Sequence, residues 1–162
     1  MSTVVKMDVK EVVARLHKFA PPWLSESWDN VGLLVEPSSP HIVDKLLLTN
    51  DLTETVADEA VSMKVGMILS YHPPVFKPLT RVTQRSWKER IVVKCMENRI
   101  AVFSPHTCYD ALQGGVNDWL ISPFGMCSLT SEIQLSNVKK AQTILLIFVC
   151  PMHCVSSTLE RL

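Results

Sequence analysis

Long hydrophobic runs are missing from this chain. The longest clean apolar stretch, Ile144–Cys150, falls far short of the roughly 20 residues a membrane helix needs. No membrane association is therefore expected. Net charge is missing too: lysine plus arginine number 16 and aspartate plus glutamate number 16. That balance excludes a broad basic surface for nucleic acid, though not a local patch, so direct nucleic-acid binding is not expected. No signal peptide is visible, because Lys6, Lys10, Arg15 and Lys18 interrupt the apolar residues of the first twenty. Paired cysteines are missing as well. The five present (Cys95, Cys108, Cys127, Cys150 and Cys154) are an odd, scattered set, which reads most simply as free thiols in a reducing compartment. Neither a Gly-x-Ser-x-Gly elbow nor a Walker loop occurs, which argues against a serine hydrolase or a P-loop enzyme.

What remains is 162 residues, 47% hydrophobic and 20% charged, enough for one globular domain with a buried core. Asp8 begins a helix, with Glu11 at capping-box spacing. Val9, Val12, Val13, Leu16 and Phe19 follow at helical spacing until Pro21-Pro22. Residues 26–36 form a loop entering a short strand. Then a rhythm sets in. Lys45–Thr49, Gly66–Leu69 and Ile100–Phe103 are short apolar runs. Between them, Glu54–Lys64 and Ser86–Asn98 have helical spacing, the first with Val56, Ala60 and Met63 inward, the second with Ile91, Val92, Cys95 and Met96 inward. Alternating strand and helix predicts an α/β fold, a parallel-rich sheet flanked by helices, with strands covered on both faces.

The strand ends carry the chemistry. The three apolar runs close on Asp51, His72 and His106. Ligands bind outside the carboxyl ends of parallel strands, so three neighbouring strands would bring these side chains to one edge. Imidazole and carboxylate there suit zinc, manganese, iron or cobalt, and the prolines behind His72 stiffen its backbone. Asp110 lies four residues after His106 and shares its face if the segment is helical. The competing reading makes both histidines buried groups bonded to backbone and Asp110 a cap for a helix over 111–120. Asp51 is either a ligand, a carboxylate orienting a histidine, or a helix-start residue beside Thr53.

Other segments carry less. Gly114-Gly115 opening a helix offers an anion site, against a plain tight turn with Trp119 and Leu120 in the core. Glu26–Asn30 sets two acids and an amide beside Trp28, and reads better as a loop anchored by its aromatic than as a pocket wall. Cys150-Pro-Met-His153-Cys154 is half a metal motif without a second pair. The run Ala141–Val149 is a strand or a buried helix, which periodicity does not decide.

Four separated segments then resemble one family. Trp28-Asp-Asn-Val-Gly-Leu-Leu-Val35, Thr49-Asn-Asp-Leu-Thr53, Leu69-Ser-Tyr-His-Pro-Pro-Val-Phe76 and His106-Thr-Cys-Tyr-Asp-Ala111 occur in order, followed by Gly114-Gly-Val-Asn-Asp-Trp-Leu120. Together they resemble the Nif-three-like family, also labelled GTP cyclohydrolase I type 2-like, in the form found in its animal branch. The resemblance covers roughly residues 7–127. It implies the N-terminal half of an α/β fold that forms ring-like homo-oligomers with a two-metal site. The family's histidine pair falls on Tyr71 and His72, and its bridging aspartate on Asp110. His106 is implied as a metal ligand or proton-transfer group. Metal residues are thus His72, Asp110 and His106, the last also catalytic, with zinc, manganese or iron as the ion.

The family's remaining ligands, a histidine and a glutamate on a late helix, belong to a second half that nothing after Cys127 resembles. The tail offers only Glu132, His153 and Glu160. The expected organisation is a family domain over 1–130 and a divergent tail over 131–162, a truncated or alternatively ended form. Two functions follow from the resemblance. One is a corepressor-type protein that binds transcriptional regulators in cytoplasm and nucleus, with a partial metal site. The other is a dinuclear-metal hydrolase for a nucleotide-like or phosphorylated substrate.

Overall fold

The computed structural model describes residues 6–124 and two further short strands, Ser128–Leu129 and Phe148–Val149. Two compact units are distinguished, residues 1–112 and 113–162. The expected boundary at 130, and the Cys150–Cys154 segment, lie outside the described residues.

The first unit runs β1 (Met7–Asp8), α1 (Val9–Phe19), a 3-10 turn at Pro22–Leu24, β2 (Gly32–Val35), β3 (Ile42–Val43), β4 (Leu46–Thr49), α2 (Glu54–Met63), β5 (Met67–Ser70), α3 (Trp87–Glu97), β6 (Ala101–Ser104) and α4 (Thr107–Ala111). Its main sheet has the order β2-β6-β5-β4. Strands β4, β5 and β6 are mutually parallel, with Leu46 opposite Met67 and Met67 opposite Ala101; β2 closes the sheet antiparallel to β6. A separate two-stranded ladder pairs β1 with β3.

Side chains of the central strands alternate between two cores, as the pleat requires. Met67, Leu69, Ala101 and Phe103 pack with Val9, Val12, Val13 and Leu16 of α1. Ile68 and Val102 face the other way, against Ala57 and Ala60 of α2 and Ile91 and Cys95 of α3. Every residue of β5 and β6 is buried, so these strands are covered on both faces as their composition predicts. The edge strand β4 is not: Leu46 and Leu48 are exposed, Leu48 by 69%. They share a face with Met67 and Leu69 through the register, and the packed residues of α1 lie over the strands further in.

The helix starts follow from their caps. Thr53 accepts from the Val56 amide, and Ser86 accepts from the Glu89 amide, the first half of a capping box; the Glu89 carboxylate then accepts from the Ser86 hydroxyl and the Thr83 amide. At α1 the box is not formed: Asp8 accepts from Lys10 instead, and Glu11 pairs with Arg15 one turn on. Phe19, Met63 and Met96, expected inward, lie at exposed helix positions.

The second unit contains α5 (Val116–Ile121), a 3-10 turn at Ser122–Phe124, and the strands β7 (Ser128–Leu129) and β8 (Phe148–Val149), paired antiparallel. Residues 148–149 of the ambiguous apolar run are therefore strand. Trp119 and Leu120 are exposed, against the expectation that they enter the core. The Gly114 amide donates to the Asp118 carboxylate, so the glycine turn is engaged by its own helix. Among the described residues no helix is long and apolar enough to cross a membrane.

Candidate functional site

Parallel neighbours carry their C-terminal residues to one edge, and the loops leaving β4, β5 and β6 meet there. The ladder continues beyond the strands: Tyr71 donates its amide to Thr49 and His72 donates to Asn50, both at 2.9 Å. Two buried serines finish the edge. Ser70 donates its hydroxyl to the His72 carbonyl at 2.7 Å and Ser104 donates to the Tyr71 carbonyl at 2.9 Å. Carbonyls outside a regular ladder need such donors, and these hydroxyls set the path of the Tyr71-His72 segment.

The three predicted strand-end residues come together. His72 Nδ1 lies 2.9 Å from Asp51 Oδ1, and the His72 and His106 rings are 5.6 Å apart between centroids. Asp51 thus faces a histidine at the surface; Thr53, not Asp51, caps α2. Asp110 sits inside α4, one turn after His106, rather than capping a later helix. Its Oδ1 accepts a 2.5 Å hydrogen bond from the Tyr71 hydroxyl. Burial first, and then this bond to Asp110, push the Tyr71 phenol well above its ordinary range.

Sequence reasoning missed Asp29. The 26–30 segment is an ordered loop, but its anchor is this carboxylate rather than Trp28, which stays 46% exposed. The Asp29 side chain is 0% exposed and lies 2.7 Å from His106 Nδ1. It also accepts from the Thr107 hydroxyl at 2.5 Å and the Thr107 amide at 3.2 Å. Burial raises the Asp29 pKa, but the bonds from Thr107 and His106 outweigh it, so the carboxyl titrates below its usual value. Asn30 then donates to the Val75 carbonyl, tying the same loop to the one after His72. The only sequence signal was the proximity of acid, amide and tryptophan; nothing in the spacing shows that residue 29 reaches residue 106.

His106 itself has φ 36° and ψ −122°, outside the regions open to a side-chain-bearing residue. Such a conformation costs about 1–3 kcal/mol and persists where the surroundings over-determine it. Here those surroundings are the Asp29 carboxylate and four aromatic rings: Trp28, Tyr71, His72 and Phe76.

Metal ligands must converge with lone pairs available. Among the described residues, no group of three histidine, cysteine or carboxylate side chains is placed to hold an ion. His72 and His106 face carboxylates at Nδ1, which leaves only Nε2 of each ring for an ion, and Asp110 Oδ1 accepts from Tyr71. Tyr71, where the resemblance puts an imidazole, is a phenol that donates a proton to the very carboxylate expected to bridge. These residues by themselves do not fit a two-ion centre.

A family profile described as Duf34/NIF3 (NGG1p interacting factor 3) matches residues 7–154. The chain belongs to this family. The match extends past residue 127, where the recognisable motifs stop. NIF3-like protein 1 of Bos taurus is 55% identical over 75% of the chain. NGG1-interacting factor 3 of Saccharomyces cerevisiae is 35% identical over 73%. Among solved structures, a Bacillus cereus protein related to NIF3 superposes with a TM-score of 0.68 at 30% identity, over 80% of this chain and 34% of that one. The chain spans 32% of the length of the Bos taurus relative and 44% of the yeast one.

Proposed function

We infer that this NIF3-family chain is a protein-binding member, engaging a transcription-related regulator in cytoplasm and nucleus, as a homo-oligomer, with a divalent-metal site that is only partial. The observation that carries this reading is the Tyr71–Asp110 bond: a phenol stands where the resemblance puts an imidazole, and it donates to the carboxylate expected to bridge. His72 faces Asp51, His106 faces Asp29, and Tyr71 donates to Asp110. An ion (zinc, manganese or iron) would have His72 and His106, through Nε2, and Asp110 as its protein ligands; Asp51 and Asp29 would back the two imidazoles at Nδ1, and the Tyr71 hydroxyl would have to give up Asp110 Oδ1. The name of the yeast relative, NGG1-interacting factor 3, supplies the class of partner. The test titrates the purified chain with purified yeast NGG1 in the presence of a chelator. Saturable binding that ignores the chelator is expected; no binding, with or without metal, overturns the reading.

A second reading, a metal-dependent hydrolase for nucleotide-like or phosphorylated substrates, is favoured by one feature: the strained, carboxylate-backed His106 is built like a proton-handling group. Phosphate release from such substrates, lost in His106→Ala, would support it.

A further inference from the structure

We propose that Asp29 is a positioning residue, fixing His106 as a hydrogen-bond acceptor at Nε2 for an O–H or N–H group of a bound molecule. The argument is one of donors and acceptors around a buried carboxylate. Asp29 Oδ1 accepts from the Asn30 amide at 2.7 Å and Oδ2 accepts from the Thr107 amide at 3.2 Å. A backbone N–H donates and never accepts, so each oxygen is held in the acceptor role. The Thr107 hydroxyl adds a second donor on Oδ2. The remaining position on Oδ1, 2.7 Å away, is filled by His106 Nδ1, which therefore carries the proton. In a neutral imidazole the lone pair then resides on Nε2.

The backbone makes the arrangement specific. His106 stands at the turn from β6 into α4 with φ 36°, and Thr107, the next residue, holds the same carboxylate. Two consecutive residues thus clamp Asp29, so ring orientation and strained turn are set by one buried group. The side chain keeps 18% of its surface exposed, and the rings of Trp28, Tyr71, His72 and Phe76 have centroids 6.2, 5.7, 5.6 and 6.4 Å from its own. The neighbouring His72–Asp51 pair is a natural contrast. Its side chains are 52% and 69% exposed, so water competes for both partners and no tautomer is enforced.

The test is the two-bond proton–nitrogen spectrum of the histidine side chains in the full chain at pH 8, assigned with His106→Gln. His106 is expected as the Nδ1–H tautomer alone, and His72 as a tautomer mixture. Asp29→Asn is expected to move His106 toward Nε2–H, while Asp51→Asn leaves it unchanged. A wild-type His106 whose neutral ring is Nε2–H overturns the proposal, whether or not Asp29→Asn folds. An unchanged His106 tautomer in folded Asp29→Asn also overturns it. The inference does not rest on the regulator-binding reading: failure to bind NGG1 with the Nδ1–H signature intact removes that reading alone.

Discussion

The Tyr71 hydroxyl donates to Asp110 across 39 positions of sequence, joining the loop after β5 to helix α4 at 2.5 Å. The bond fixes the relation between the two motif segments that carry the candidate ligands. Removing the donor in Tyr71→Phe keeps the ring and its contacts with His72 and His106. We expect a loss of about 1.5–3 kcal/mol, the range for a hydrogen bond to a charged acceptor, read as a lower denaturation midpoint with an unchanged m-value.

The same bond predicts an alkaline signature. Burial and Asp110 raise the folded-state pKa of Tyr71, so the native state keeps a proton that the unfolded chain loses near the ordinary value of about 10. The stabilisation is complete below that pH and falls away as pH climbs through the folded-state value. Tyr109, the other of the two tyrosines, is shifted in the same direction by burial. An ultraviolet titration of the folded chain should therefore show no phenol ionising at its normal midpoint. A full normal transition near pH 10 without unfolding would contradict the Tyr71 environment described here.

Asp29→Ala should be among the most damaging single changes in the first unit. It strips partners from two backbone amides, the Thr107 hydroxyl and the His106 ring at once. Breaking a buried charged network of this kind costs on the order of 3 kcal/mol. Asp51→Ala, at a surface pair, should cost no more than about 1 kcal/mol. Chemical denaturation of the two variants side by side checks the contrast.

The sheet predicts a second contrast. Ile68→Ala opens a cavity among buried residues of the α2–α3 core and should cost about 2–5 kcal/mol. Leu48→Lys, at an open position of the edge strand, should change stability by no more than about 0.5 kcal/mol.

The parallel strands and their helices were legible because β5 and β6 are apolar throughout and Ser86-x-x-Glu89 marks a helix start by chemistry alone. The meeting of Asp51, His72 and His106 was legible for the same reason: parallel order carries strand ends to one edge. Three things were not legible. The antiparallel β2 at the sheet edge depends on a chain reversal that periodicity does not record. The exposed face of β4 depends on where α1 comes to lie, which a three-leucine run does not reveal. The Asp29–His106 contact joins residues 77 positions apart, and only the folded loop brings that carboxylate under the ring. The cap of α1 shows a smaller limit, since Glu11 was equally able to pair with Arg15.

The Tyr71 phenol bonded to Asp110, in place of a second imidazole, is the centre of this account, and metal analysis tests it most directly. The purified chain would be reconstituted with zinc, manganese or ferrous iron, desalted, and analysed for metal beside His72→Ala and Asp110→Ala, with circular dichroism confirming that each is folded. The account predicts well under two ions per folded wild-type chain. Two tightly held ions per chain, lost in both variants, would contradict it and make the hydrolase reading the one to pursue.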